Sequence, residues 1–344
     1  MALRVNASGG LGEMSMVSIE DVRKAREVLA GKIIRTPLVS LSRSPGFELR
    51  GVYAKLESLQ VTHAFKARGA YNTIANLVSQ GKLGSAPGAA KGIVTFSSGN
   101  HAAGAAYAAT RQGIRSLIVM PRFSIASKVE ATKYYGGEVV IYGDNSVESA
   151  AKAAELERQD GYIFVHPFND PHVIAGQGTI GLEILEDLPG VQAVVVPVSG
   201  GGLISGILVA IKESAPTVRV IGVQPTGAAA MYESLRRGRL HELDRVETVA
   251  DGLTAKKVGD LTFSITGKYV DDLVLVSDSE ISSAVVTLAH SNKILAEPSG
   301  AAAMAALLSG KVKNVPQNTV VLVSGGNFDP AYLARLMDRT GLAQ

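Results

Sequence analysis

The chain contains no cysteine and no tryptophan in its 344 residues. Without cysteine there is no disulfide framework, no thiolate nucleophile and no cysteine-ligated zinc. Charge is also sparse: Asp, Glu, Lys and Arg make up 19% of the chain, and 34 basic against 31 acidic residues leave a net +3 with no basic block. That balance argues against nucleic acid as a partner. An apolar content of 46% excludes disorder over most of the length. No secretory signal is visible in these residues; 1–17 lack an apolar run and are expected to form a flexible leader to a cytoplasmic protein. The longest uncharged stretch, 191–211, holds Gln192, Pro197, Ser199 and three consecutive glycines. Those residues would leave backbone groups unpaired in lipid, so it divides into strand, loop and helix, and no membrane partner is expected.

What remains is a regular alternation. Short Val- and Ile-rich runs, at 52–56, 92–96, 116–120, 138–141, 193–198, 219–223 and 319–323, predict strands. Between them, segments of helical period lie near 66–80, 101–112, 125–135, 146–159, 173–187, 203–214, 279–292 and 300–309. The strands are too uniformly apolar for a half-wet sheet, and the pattern predicts an α/β fold of mostly parallel sheets covered by helices. A Gly-, Ala- and Pro-rich stretch at 81–92 and the interruption HPFND at 166–170 set the expected domain edges. A small α/β domain over 90–165 is then inserted into a large one formed by 18–89 and 166–344.

Five loops carry the chemistry. SGGGL, Ser199 to Leu203, follows a strand and opens a helix. Glycine lets its N–H groups converge, and a helix N-terminus favours an anion, so it suits a phosphate; a tight strand-to-helix turn has the same composition. SSGNH, Ser97 to His101, offers two hydroxyls, an amide and a second helix start to a carboxylate, or is an ordinary N-cap. SGGN at 324–327 puts Ser324 at a strand end, and EPSG at 297–300 opens a helix. In THAFKARGA, 62–70, Lys66 lies in an apolar surrounding. Burial lowers a lysine's pKa and frees the neutral amine as a nucleophile or Schiff-base former; a solvent-seeking lysine is the alternative. An anion cup, a carboxylate cup, such a lysine and a serine beside a heterocycle together match the needs of one cofactor, pyridoxal 5′-phosphate.

LESLQVTHAFKARGA, SSGNH, VPVSGGGLISG, EPSGAAA and VSGGN, in this order and spacing, resemble the fold-type II pyridoxal-phosphate enzymes of the serine/threonine dehydratase and serine racemase group. The resemblance implies a two-domain fold like that of the tryptophan synthase β subunit, and a homodimer. It also implies that Lys66 joins the cofactor aldehyde and later takes the substrate's Cα proton, with Phe65 beside the ring. By the same resemblance Ser199, Gly200, Gly201, Gly202 and Leu203 hold the phosphate, Asn100 the 3-hydroxyl and Ser324 the ring nitrogen. Ser97, Ser98, Gly99, Asn100 and His101 then receive the amino-acid substrate, and Ser98 stands on the face opposite the lysine, where racemases move a proton. The expected reaction is loss of water from a β-hydroxy-α-amino acid of the L-threonine or L-serine type, giving a 2-oxo acid and ammonia; racemisation is the alternative. Two places depart from the group's pattern. Gln224 and Ala230 stand where relatives with a divalent-cation site carry carboxylates, so no metal is expected. Lys66 is preceded by His63 and Ala64. Only 20 residues follow Ser324, and no C-terminal regulatory domain is expected.

Overall fold

The computed structural model describes residues 17–41 and 49–339. The expected leader lies outside the described residues, apart from Val17, which is buried. The chain begins with α1 (Ile19–Leu29), β1 (Leu38–Ser40), β2 (Val52–Leu56) and α2 (Lys66–Ser79). It continues through β3 (Ile93–Phe96), α3 (Asn100–Thr110), β4 (Ser116–Met120), α4 (Ala126–Tyr134), β5 (Glu138–Ile141), α5 (Ser146–Asp160) and β6 (Ile163–Phe164). Next come α6 (Pro171–Asp187), β7 (Ala193–Pro197), α7 (Gly202–Lys212), β8 (Arg219–Pro225), α8 (Ala230–Arg237) and α9 (Asp260–Tyr269). The last elements are β9 (Asp272–Val276), α10 (Asp278–Asn292), α11 (Pro298–Leu308), β10 (Thr319–Val323) and α12 (Pro330–Arg339).

The strands form two sheets, in the orders β1-β2-β10-β7-β8-β9 and β5-β4-β3-β6. All pairings are parallel except β1 with β2. The apolar runs explain this. On β7, Val194 and Val196 enter one core with Ile204 and Ile207 of α7, while Ala193 and Val195 enter another with Met304 of α11. A strand that buries both faces needs helices on both sides, which a βαβ chain supplies. The four-stranded sheet does the same: Ile93, Ile118 and Met120 face α2 and α3, and Val94, Leu117 and Val119 face α5.

Helix starts are well marked. Asn145 caps α5, Asp170 with Pro171 opens α6, and Ser277 with Glu280 forms a capping box on α10. The seven expected strands are present, each end within two residues of its predicted place. Beyond expectation are β1, β6 and β9 and the helices α1, α8, α9 and α12.

Candidate active site

Three adjacent parallel strands deliver three of the five loops to one edge. In the order β2-β10-β7, their carboxyl ends lead to Lys66, Ser324 and Ser199 respectively. Ligands of open α/β sheets collect at this edge. The fourth loop, SSGNH, arrives from β3 of the other sheet, and the fifth, EPSG, starts α11. Hydrogen bonds lace them together. Phe65 N–H donates to the Ser324 carbonyl at 3.1 Å, Gly326 N–H to His63 at 2.9 Å, and Glu297 N–H to Gly325 at 3.1 Å. Asn327 Nδ2 donates both to Thr62 O (2.8 Å) and to Asn100 Oδ1 (3.0 Å), and Asn100 Nδ2 donates to Glu297 Oε1 (2.5 Å).

Lys66 is the first residue of α2, with its Nζ 5.2 Å from the centre of the Phe65 ring. Its amine donates to the Pro167 carbonyl at 2.6 Å, and no carboxylate pairs with it among the described residues. Burial therefore pushes its pKa down to about 8. Helix α3 approaches so closely that a Cβ on Gly104 would lie 3.0 Å from the Lys66 carbonyl carbon. The lysine is thereby fixed from its backbone outward.

The segment between Lys66 and the glycine loop is HPFND, which sequence reasoning took only as a domain edge. Pro167 holds the lysine, and Phe168 forms the floor of the cup: a Cβ on Gly200 would meet its ring at 2.5 Å, and one on Gly202 its carbonyl oxygen at 2.8 Å. Gly201 has φ +99° and backs onto Met231 and Thr262, so no side chain fits there. Thr262 Oγ1 donates to Gly200 O (2.7 Å), and Ser199 Oγ accepts Ala255 N–H (3.2 Å). The N–H groups of residues 199–203 donate to no acceptor among the described residues. Unspent donors at the start of α7, on a loop closed from behind, fit a phosphate. Leu203 takes part by its backbone, since its side chain is in the core.

Opposite the cup, Gly99 precedes α3, and its N–H donates to Ser97 Oγ at 3.2 Å. Ser97, Ser98 and Asn100 are half-buried at this helix start. The His101 imidazole turns away into the small sheet, with Nε2 3.1 Å from Thr95 Oγ1 and 3.3 Å from Val165 O. Burial, reinforced by the charge of Lys66, pushes it down to about 3. The ring therefore brings no positive charge to a carboxylate. His166 is likewise pushed down to about 4, by burial and then by Lys66, and its Nδ1 accepts the N–H of Phe168 (3.2 Å) and Asn169 (2.8 Å).

Sequence reasoning also missed Glu297 and Asn327, which grip the two ends of the Asn100 amide. The motifs EPSG and SGGN contained both, but only proximity in the fold reveals the grip. Ser324 is buried, its carbonyl tied to the lysine loop. Gln224 uses both ends of its amide on the chain, donating to Ala228 O (3.2 Å) and accepting Tyr232 N–H (2.8 Å).

Residues 29–326 match the family described as pyridoxal-phosphate dependent enzyme. An L-threonine ammonia-lyase of Thermotoga maritima is 45% identical over 327 residues, 94% of this chain and 79% of the relative. The catabolic L-threonine dehydratase TdcB of Escherichia coli is 44% identical over 330 residues, 94% of this chain and 96% of the relative. Among solved structures, maize serine racemase superposes with a TM-score of 0.85 at 36% identity, covering 94% of this chain and 98% of that one.

Proposed function

This chain belongs to the family of pyridoxal-phosphate dependent enzymes, and from that premise we propose an ammonia-lyase that removes water from L-threonine or L-serine and releases a 2-oxo acid with ammonia. The observation that carries this is Lys66: a half-buried amine without a carboxylate partner among the described residues, hydrogen-bonded to Pro167, the neighbour of the Phe168 that floors a glycine cup. The names of the relatives, threonine ammonia-lyase and threonine dehydratase, support the substrate class.

The cofactor, when bound, supplies an aldehyde that condenses with amines and a ring that draws electrons from the substrate's Cα. The N–H groups of Ser199 to Leu203 would hold its phosphate, Asn100 its 3-hydroxyl and Ser324 its ring nitrogen. With the group bound, Lys66 would take the Cα proton on Nζ and hold it there until the hydroxyl leaves. An amine with a pKa near 8 does this better than an ordinary lysine, because its neutral form is populated close to neutrality. Ser97 Oγ and the free N–H groups at the start of α3 receive the substrate carboxylate. The Cβ hydroxyl leaves with a proton, the Cα proton and that hydroxyl together making up one water, and the enamine then takes up water to give the 2-oxo acid and ammonia.

A second reading, racemisation, is favoured by the likeness to maize serine racemase and by Ser98 beside the carboxylate cup. We read the chain as a cytoplasmic homodimer without a metal ion, in which 90–165 forms a small domain beside 18–89 and 166–344. The separate four-stranded sheet supports that division. Incubation with L-threonine tests the main reading. It predicts 2-oxobutyrate and ammonia in equal amounts, and pyruvate from L-serine. D-serine formed faster than pyruvate, and lost in Ser98→Ala, would favour the second reading; no 2-oxo acid from any β-hydroxy amino acid would overturn the first.

A further inference from the structure

Glu297 is the N-cap residue of α11, but its side chain makes no capping bond; the carboxyl is turned inward and the residue is only 1% exposed. Its Oε1 accepts Asn100 Nδ2 at 2.5 Å, whereas its Oε2 is buried with no hydrogen-bond partner among the described residues. Asn327 donates to the opposite end of the same amide, at Oδ1. Asn100 therefore has its oxygen directed to one neighbour and one N–H to another, leaving a single N–H over. Reversing the amide would set its NH₂ against that of Asn327 and its oxygen against a carboxylate. The pair thus selects which end of Asn100 faces the site.

The charged groups bearing on Glu297 are Lys128, from α4, and Asp251, from the turn at 251–253. They are paired with each other, so their fields oppose at Glu297, and burial dominates. The carboxyl is pushed up to about 7. Its ionised form binds the Asn100 N–H through a charge-assisted bond, and its neutral form binds it less strongly.

We propose that Glu297 is a positioning residue: it holds Asn100 so that the spare N–H meets the cofactor's ring oxygen, and its own proton decides how firmly. This rests on the reading of Asn100 given for the proposed function. The holoenzyme, reconstituted with pyridoxal 5′-phosphate, is titrated while its visible absorption is recorded. The wild type is expected to show a reversible spectral change centred near pH 7. Glu297→Gln keeps an oxygen for the Asn100 N–H but cannot ionise, so its spectrum stays flat over that range. Glu297→Ala loses the hold, and its affinity for the cofactor falls roughly tenfold, as for one lost hydrogen bond. Asn100→Ala abolishes the spectral change even with Glu297 present. A Glu297→Gln enzyme that titrates like the wild type, or a wild-type band that does not titrate, overturns the proposal. A wild type with no bound-cofactor band overturns the underlying reading as well, so the two failures are distinct.

Discussion

A lysine ammonium is costly to bury, and among the described residues Lys66 has only the Pro167 carbonyl to receive it. Lowering its pKa from 10.5 to about 8 leaves roughly a tenth of the amine neutral at pH 7, far more than an exposed lysine has. The rate at which apoprotein captures pyridoxal 5′-phosphate should therefore rise with pH and level off above about 8, as followed by stopped-flow absorbance. A flat profile across that range would count against Lys66. The same shift affects stability. Between about 8 and 10.5 the unfolded chain holds a proton that the folded one has lost, so stability rises with pH through that window. Thermal denaturation of Lys66→Met apoprotein should show that rise removed and a higher Tm at pH 7. Glu297 works in the opposite sense. Its folded pKa lies above the unfolded 4.5, so stability is full below 4.5 and declines as pH rises to about 7. Glu297→Gln apoprotein should thus gain up to about 3 kcal/mol over wild type at pH 8 and little at pH 4, measured by urea unfolding. In the cup, Gly201→Ala combines a left-handed φ with overlap onto Met231 and Thr262. Cofactor affinity is expected to fall at least about tenfold, with stability lower by about 1–3 kcal/mol, by fluorescence titration and thermal melting.

Helix α2 connects the site to the rest of the fold, and two residues beyond Lys66 it carries Arg68, which is fully buried. Arg68 forms paired bonds to Glu57 (2.8 and 2.9 Å) and to Glu183 of α6 (2.6 and 3.0 Å). Lys55 of β2 joins Glu183 at 2.8 Å, and Thr36 Oγ1 donates to Glu57 at 2.6 Å. The guanidinium holds the Glu57 carboxyl below its ordinary range against the opposing effect of burial. Removing Arg68 leaves Glu57 buried and charged without its bonded cation, while Glu183 keeps Lys55, so Arg68→Met should cost about 3–5 kcal/mol in urea unfolding. Replacing Arg68, Glu57 and Glu183 together by apolar residues should cost less than Arg68→Met alone; a larger loss would contradict this account of the network. Elements whose stability comes from apolar runs were legible in the sequence, as with AVVVP and TVVLV. Those without such runs were missed. Helix α1 is strongly polar, and its Ser18–Asp21 capping box was its clearest signal. Strand β6 has only two residues and exists because Ile163 and Phe164 pair with β3.

For the whole molecule, the two sheets and the loops at their facing ends make the site. Strand alternation predicted the sheets, and the family resemblance implied which loops converge. The joints between loops were not legible, because they depend on distances absent from the chain order. Pro167 and Phe168 join the lysine to the cup, and Glu297 and Asn327 fix Asn100 across separations of 197 and 227 residues. The resemblance implied a substrate-binding role for His101, but the fold turns its ring to Thr95. A cofactor spanning these loops should stabilise the whole, by about 2.7 kcal/mol at a hundredfold excess over Kd. The most direct test of the account is borohydride reduction of the holoenzyme followed by peptide mapping. The account predicts one pyridoxyl group, on Lys66; a label on another lysine, or no label, would contradict it.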